Sequence, residues 1–141
     1  MAFVVRGLNK VEEDFERLKA IPDRIYDQML DAASEVMIKE TSNAAKTMLV
    51  GPYYTGDLAN HIKRGRMRRS AKNGRYTDIL FYGNVVDKHH PNGERRATIA
   101  YINEYGKRKQ PARPFISVAI DSGSAPAVDA AAEVYYDYLK L

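Results

Sequence analysis

The sequence predicts an α+β protein in which a long N-terminal helix packs on a small, mostly antiparallel sheet containing a basic hairpin, followed by short C-terminal helices. Three observations predict this fold class. A helical apolar stripe extends over residues 22–48, an Asn73-Gly74 turn signal interrupts a basic segment, and proline and glycine punctuate an apolar stretch near the C-terminus. The chain has 141 residues, so we expect one domain covering 1–141.

Two helices are expected in the first fifty residues. Residues 8–20 form the first, because Asn9 is a candidate N-cap and apolar residues follow it at helical spacing. Pro22 suits the first turn of a second, longer helix over 22–48, where its missing N–H has no partner to lose. Gly51-Pro52 ends that helix.

The middle of the chain predicts a turn, a hairpin and a loop. Thr55 is a candidate cap for a short turn or helix. Residues 62–83 predict a β-hairpin closed by a two-residue Asn73-Gly74 turn. The polar residues 86–96 predict a mobile loop.

The segment "ATIAYINEYG" fits either a strand or a short helix. Gly106 is a natural residue to end a helix, and Tyr101 and Tyr105 lie four apart, so we favour the helix. Two prolines then bias the backbone of 109–113 towards an extended conformation.

Two short helices are expected at the C-terminus. Pro114 opens the first, 114–121, and Phe115 enters the core at its start. Gly123 stops this helix, and the second covers 125–140.

The composition excludes several classes of protein. There is no cysteine, which excludes disulfides, thiol catalysis and cysteine-bound zinc. No apolar run approaches the roughly 18 residues that span a bilayer, and the N-terminus has no signal-peptide pattern. We therefore expect no membrane partner and assembly in a cytoplasm.

Charge is divided sharply along the chain. Residues 9–40 carry a net charge of −4, residues 61–113 carry +10, and residues 114–141 carry −3. A basic middle between acidic ends is typical of nucleic-acid contact or of a subunit that docks its positive surface on a neighbour's negative surface.

Catalytic chemistry finds little support in the sequence. The histidines are His61, His89 and His90, and no set of potential ligands occurs at metal-binding spacing on one element. A small ribonuclease is a third alternative; it would need a His or a Glu–Arg constellation, which only Glu104 with Arg108 or Arg113 could supply. A single carboxylate, however, is more often part of a surface ion pair. We expect no enzyme activity, no catalytic residue, no metal and no cofactor.

A basic hairpin is the strongest chemical feature. Its seven cations are Lys63, Arg64, Arg66, Arg68, Arg69, Lys72 and Arg75. Such a cluster can contact phosphate groups, yet no aromatic residue for base stacking precedes Tyr76. A solvated or protein-docking hairpin is the favoured interpretation, and a small nucleic-acid-binding accessory protein is the alternative.

Four short strings occur in an order that resembles a known family. They are the "GLNKVEEDFERL" opening, Thr55-Gly56-Asp57-Leu58, Glu104-Tyr105-Gly106 and Ala112-Arg113-Pro114-Phe115. Over residues 7–121 the chain resembles the tail-component family of long-tailed phages and prophages, the small tail-completion or head–tail joining (neck) proteins. Lys107 stands where a threonine is common in that family.

The resemblance implies a structural virion protein, assembled in the host bacterial cytoplasm. It implies an α+β subunit that forms a ring, a hexamer by expectation, between the phage connector and tail-tube proteins. Transient DNA contact at the basic hairpin is a separate expectation, based on its charge. The expected assembly interface is Glu104, Tyr105, Lys107, Arg108, Lys109 and Arg113. The expected structural anchors are Thr55, Gly56, Leu58, Gly106, Pro114 and Phe115.

Overall fold

The computed structural model describes residues 21–51, 56–72 and 74–140. It has the predicted α+β class. The helices are α1 (Asp23–Met48), α2 (Arg96–Tyr105) and α3 (Phe115–Leu139), with a single 3₁₀ turn at Leu58–Asn60. The strands are β1 (Ile62–Arg64), β2 (Arg68–Ser70), β3 (Gly74–Tyr76), β4 (Ile79–Phe81), β5 (Asn84–Asp87) and β6 (His90–Arg95). The predicted helix 8–20 and the Thr55 cap lie outside the described residues.

Helix α1 confirms the long N-terminal helix. Its N-cap is Pro22, whose ψ of 153° is extended, so the helix begins one residue later than predicted. The most extensive contact in the fold joins α1 to α3. Phe115, at the start of α3, clusters with Ala45 and Leu49 at the end of α1, so the two helices are antiparallel.

Small residues bring α1 and α3 close together. The buried residues of α3 include Ala119, Gly123 and Ala127, spaced four apart on one face. A Cβ built on Gly123 would lie 2.9 Å from Met37 Sδ and 3.0 Å from Glu40 Cγ. A larger residue at this position would require the Met37 and Glu40 side chains to shift, so Gly123 permits the close packing seen there.

The prediction of two C-terminal helices, 114–121 and 125–140, is wrong. One helix of 25 residues passes through both Gly123 and Pro126. Pro126 removes one helical hydrogen bond, and Gly123 lowers helix propensity. Packing along α1 outweighs both effects. Pro114 is the N-cap of this helix and not its first residue.

The hairpin over 62–83 is confirmed, with two successive antiparallel ladders. Strand β1 pairs with β4, with Ile62 opposite Phe81, and β2 pairs with β3, with Arg69 opposite Arg75. The closing pair is Ser70 with Gly74, so Gly74 belongs to a strand and the two-residue turn at Asn73-Gly74 is wrong. Gly74 has a φ of +65°, which suits the glycine position of a longer hairpin tip.

The loop predicted at 86–96 is also wrong, because β5 and β6 form a second hairpin there. The Asp87 carboxylate accepts hydrogen bonds from the backbone N–H groups of His89 and His90, at 2.9 and 2.8 Å, and so closes its tip. Although partial burial acts in the opposite direction, these hydrogen bonds hold the pKa of Asp87 below its ordinary value. An aspartate that organises its own turn makes a polar segment ordered.

Helix α2 confirms the helical alternative for residues 97–105, and Gly106 ends it with a φ of +79°. The extended stretch predicted at 109–113 needs correction at its start. Lys107 and Gln110 exchange backbone hydrogen bonds of 2.9 Å, so residues 107–110 form a tight turn, and residues 111–114 follow without regular structure.

The core lies where the end of α1, the 3₁₀ turn, α2 and the start of α3 meet. Phe115 has no exposed surface and its ring meets Phe81 edge-on, with centroids 5.8 Å apart. Among the described residues, no helix is long and apolar enough to cross a membrane.

Candidate functional site

The predicted interface around 104–113 is a corner between α2 and α3, and Glu104 is its internal brace. Glu104 is only 5% exposed. Its Oε2 accepts a hydrogen bond from the Ile116 N–H at 2.7 Å, and its Oε1 accepts bonds from the Ser117 N–H at 3.2 Å and from the Ser117 hydroxyl. A carboxylate is favourable at the positive end of a helix. Glu104 therefore caps α3, whose own N-cap, Pro114, has no side-chain donor or acceptor.

This burial corrects the expectation that Glu104 is an assembly contact. Tyr105, beside it, is 69% exposed and its ring lies 4.8 Å from that of Tyr101. Tyr105 therefore remains available to a partner, whereas Glu104 does not.

Arg113 is also used within the chain. Its Nη1 donates to the Val50 carbonyl at 2.8 Å, and its backbone N–H donates to the Asn103 carbonyl at 2.6 Å. It thus ties the corner to the segment that follows α1. Lys107, Arg108 and Lys109 are exposed on the tight turn and form no ion pair with any residue that the structure describes.

The predicted anchors that lie within the described ranges have structural roles. Leu58 is buried in the main core, as is Phe115. Gly56 has a φ of +77°. A Cβ on Gly106 would lie 2.8 Å from Ala112 N and 2.9 Å from Gln110 O, so only glycine fits where the corner folds back on itself.

The basic hairpin is partly neutralised by α1. Arg64 Nε donates to Asp31 Oδ1 at 3.0 Å, Arg69 pairs with Asp23, and Arg75 makes a two-point contact with Asp27, its Nη2 lying 2.9 Å from Oδ2. The hydrogen bond from Arg75 lowers the pKa of Asp27, and the same bond raises the pKa of Arg75.

These ion pairs compensate the repulsion between two like charges in the hairpin. Arg69 and Arg75 lie directly opposite each other on β2 and β3, where like charges repel. Asp23 and Asp27, one turn apart on α1, lie against both guanidinium groups. The division into acidic and basic segments therefore serves contacts within this chain as well as any contact between chains.

The other four hairpin cations differ from these three. Lys63 Nζ lies 5.0 Å from the centroid of the Tyr82 ring, a cation–π geometry. Arg66, Arg68 and Lys72 are exposed and form no ion pair with a described residue. A ligand can therefore reach these three without displacing a described acidic partner.

Arg96 is a central residue that sequence reasoning missed. It donates from Nε and Nη2 to the two Asp57 carboxylate oxygens, at 2.7 and 3.1 Å, and from Nη1 to the Tyr82 carbonyl at 3.1 Å. The hydrogen bond to Asp57 raises the pKa of Arg96. Gly83 leaves the space for it, because a Cβ there would meet Nη1 at 2.6 Å. The two partners are 39 residues apart in sequence, and no local pattern marks them.

An open groove of about 610 Å³ lies between β4 and α2. Its lining includes Leu80, Tyr82, Tyr101, Tyr105 and Ile116, with Lys63 and Arg95 also along it. We call these seven residues the tyrosine groove. Tyr101 is 64% exposed and Leu80 is 40% exposed, so the groove presents apolar and aromatic surface beside two cations.

Histidines in the described ranges are engaged in local contacts. His61 Nδ1 lies 2.6 Å from the Asp57 carbonyl oxygen, and His90 Nδ1 lies 3.2 Å from Asp87 Oδ1. Among the residues described, no three His, Asp or Glu side chains are arranged to hold a metal ion. The chain matches no protein-family model, no curated protein and no solved structure.

Proposed function

We propose that this chain is a structural subunit of a phage particle that joins the head connector to the tail. The observation that carries the proposal is exposed aromatic and apolar surface held on a rigid support, namely the tyrosine groove beside the braced 104–115 corner. Apolar patches on a stable fold mark interaction sites. The ordered Thr55-Gly56-Asp57-Leu58, Glu104-Tyr105-Gly106 and Ala112-Arg113-Pro114-Phe115 strings support the same role.

The proposed subunit acts by assembly and not by catalysis. Copies form a ring, with six as the expected number, and the ring lies in the virion between connector and tail-tube proteins after assembly in the bacterial cytoplasm. Lys107, Arg108 and Lys109 are the docking cations, since their side chains have no described acidic partner and stand on a turn fixed by two backbone hydrogen bonds.

Loss of the gene tests this role. A null phage should make filled heads and separate tails, and electron microscopy should show few joined particles. A plasmid copy of the wild-type chain should restore joining, and the Lys107→Glu/Arg108→Glu/Lys109→Glu variant should not. Lys88→Glu, an exposed cation on the second hairpin, is the matched control and should restore joining. Normal particles from the null phage would refute the proposal.

Nucleic-acid contact is the second candidate, favoured by the three hairpin cations without a described acidic partner. Replacing Arg66, Arg68 and Lys72 with glutamine should weaken DNA binding and remove up to three phosphate contacts. Each lost contact should make the slope of log K against log salt concentration shallower by about 0.9. Lys39→Gln/Lys46→Gln, on the exposed side of α1, is the control. Absence of binding by the wild-type chain at low salt would remove this candidate.

A further inference from the structure

Helix α3 presents apolar residues on two sides, and only one of them faces α1. The inward side carries the buried residues Phe115, Ala119, Gly123 and Ala127. The other side carries the apolar residues Val118, Ala125, Val128, Ala132 and Tyr136, which recur at helical spacing beside Asp121 and Asp129. We call these seven residues the outer face of α3. Val128 is 67% exposed and Tyr136 is 59% exposed.

We propose that the outer face of α3 docks in the tyrosine groove of a second copy of this chain. This contact rests on the proposed function, because it requires that copies of the chain assemble. The outer face of α3 and the tyrosine groove are different surfaces, so each contact between two copies is head-to-tail.

Charge complementarity favours the contact between the outer face of α3 and the tyrosine groove over a contact between two outer faces. Residues 115–139 contain four acidic residues and no basic residue, so two outer faces set against each other would bring like charges together. The tyrosine groove has Lys63 and Arg95 along it, and its acidic lining residue, Glu104, is buried and hydrogen-bonded to α3. The cationic turn at 107–109 follows closely in sequence. An acidic apolar helix therefore complements the groove in both charge and polarity.

Geometry prevents the chain from filling its own groove with this face. Ile116, in the first turn of α3, already lines the groove. Val128 lies twelve residues further along the same helix, or about 18 Å at 1.5 Å per residue. Because α3 is continuous and packed against α1, its distal half cannot fold back. A second copy must supply it.

The absence of native cysteine allows a direct test on the full chain. Tyr101→Cys and Val128→Cys variants are purified separately and oxidised mildly, alone and mixed. We expect covalent dimers in the mixture at more than tenfold the yield of either variant alone. Val128→Cys dimers forming equally well alone would instead indicate pairing of two α3 helices and overturn the proposal.

Association of cysteine-free protein is the second measurement. Val128→Asp should weaken self-association in analytical ultracentrifugation by about tenfold or more, whereas Val86→Asp, an equally exposed valine on β5, should leave it unchanged. Circular dichroism checks that both variants fold. Wild-type protein that stays monomeric at every concentration, or equal effects of the two substitutions, would overturn the proposal.

Other occupants of the groove give distinct results. A Phe15→Cys/Tyr101→Cys chain that closes a disulfide within a monomer would assign the groove to the chain's own N-terminal segment. A single-stranded oligonucleotide that abolishes the mixed cross-link would assign it to nucleic acid. Either result overturns the proposal. If the null phage leaves tails unjoined but Tyr101 and Val128 positions do not cross-link, this inference fails and the proposed function stands.

Discussion

Replacing Glu104 should destabilise the fold far more than replacing a surface glutamate, although Glu104 lies in a polar segment of the sequence. In Glu104→Ala, the N–H groups of Ile116 and Ser117 lose their acceptor in a site where the glutamate was 5% exposed. An unsatisfied buried donor costs about 1–3 kcal/mol, and the Ser117 N–H lies at the low end of that range because Ser117 is exposed. The lost charge at the helix N-terminus adds up to about 1 kcal/mol.

With the Ser117 N–H at the low end of its range, the sum predicts a loss of about 2–5 kcal/mol for Glu104→Ala. At roughly 2–4 °C per kcal/mol for a chain of this size, Tm should fall by about 10 °C. Glu104→Gln should lose about half as much, because its amide oxygen still accepts while its amide nitrogen cannot. Urea unfolding followed by circular dichroism measures both variants.

Glu133→Ala is the control, because Glu133 is an exposed glutamate on α3 itself. It should change the free energy of unfolding by less than about 0.5 kcal/mol. If Glu104→Ala differs from this control by less than about 1 kcal/mol in free energy of unfolding, then the Glu104 carboxylate neither caps α3 nor stabilises the corner between α2 and α3.

Three further sets of substitutions test backbone shape, acid stability and a partly buried ion pair. Gly106→Ala should lower the free energy of unfolding by about 3 kcal/mol, because only glycine adopts its φ and ψ and because the new Cβ would overlap Ala112. Gly74→Ala is the comparison: its Cβ would lie in open space, so the loss should be about 1 kcal/mol. Asp27→Asn should destabilise the protein at neutral pH, and its difference from wild type should shrink below about pH 4, because a lowered pKa contributes stability that is lost as pH falls through it. Arg96→Lys should cost about 2 kcal/mol, and Arg95→Lys almost nothing.

Denaturant titrations measure all three. If Gly106→Ala and Gly74→Ala lose the same free energy of unfolding, then the backbone at position 106 relieves the overlap with Ala112 at no energetic cost. A constant difference between Asp27→Asn and wild type down to about pH 2.5 would contradict the lowered pKa. If Arg96→Lys is as stable as wild type, the two-point contact with Asp57 contributes nothing that one ammonium cannot replace.

Local patterns predicted the elements whose causes are local. The apolar stripe of α1, the end of α2 at Gly106 and the first hairpin each depend on residues a few positions apart. The continuity of α3 depends on α1, because Gly123 packs closely against Met37 and Glu40, more than eighty residues earlier. A glycine that ends helices in most contexts here permits close helix packing, and the sequence alone cannot distinguish the two.

Candidate site residues follow the same division. Tyr105 and the cations at 107–109 are exposed, and their role in assembly stays a prediction. Glu104 and Arg113 are charged residues of the same segment, but they bind backbone groups from other elements. Charge pattern alone could not separate side chains that brace the corner from those left exposed, because the difference lies in long-range contacts.

The pairing of α1 with α3 has a consequence for synthesis of the chain. About 67 residues separate the end of α1 from the start of α3, and at about 5–20 residues per second the ribosome needs roughly 3–13 s to make them. During that time the apolar side of α1 has no α3 to cover it. A nascent chain that stops before Phe115 therefore keeps the apolar surface of α1 exposed. Chaperone binding to the nascent chain should decrease sharply once α3 has been synthesised and can cover that surface.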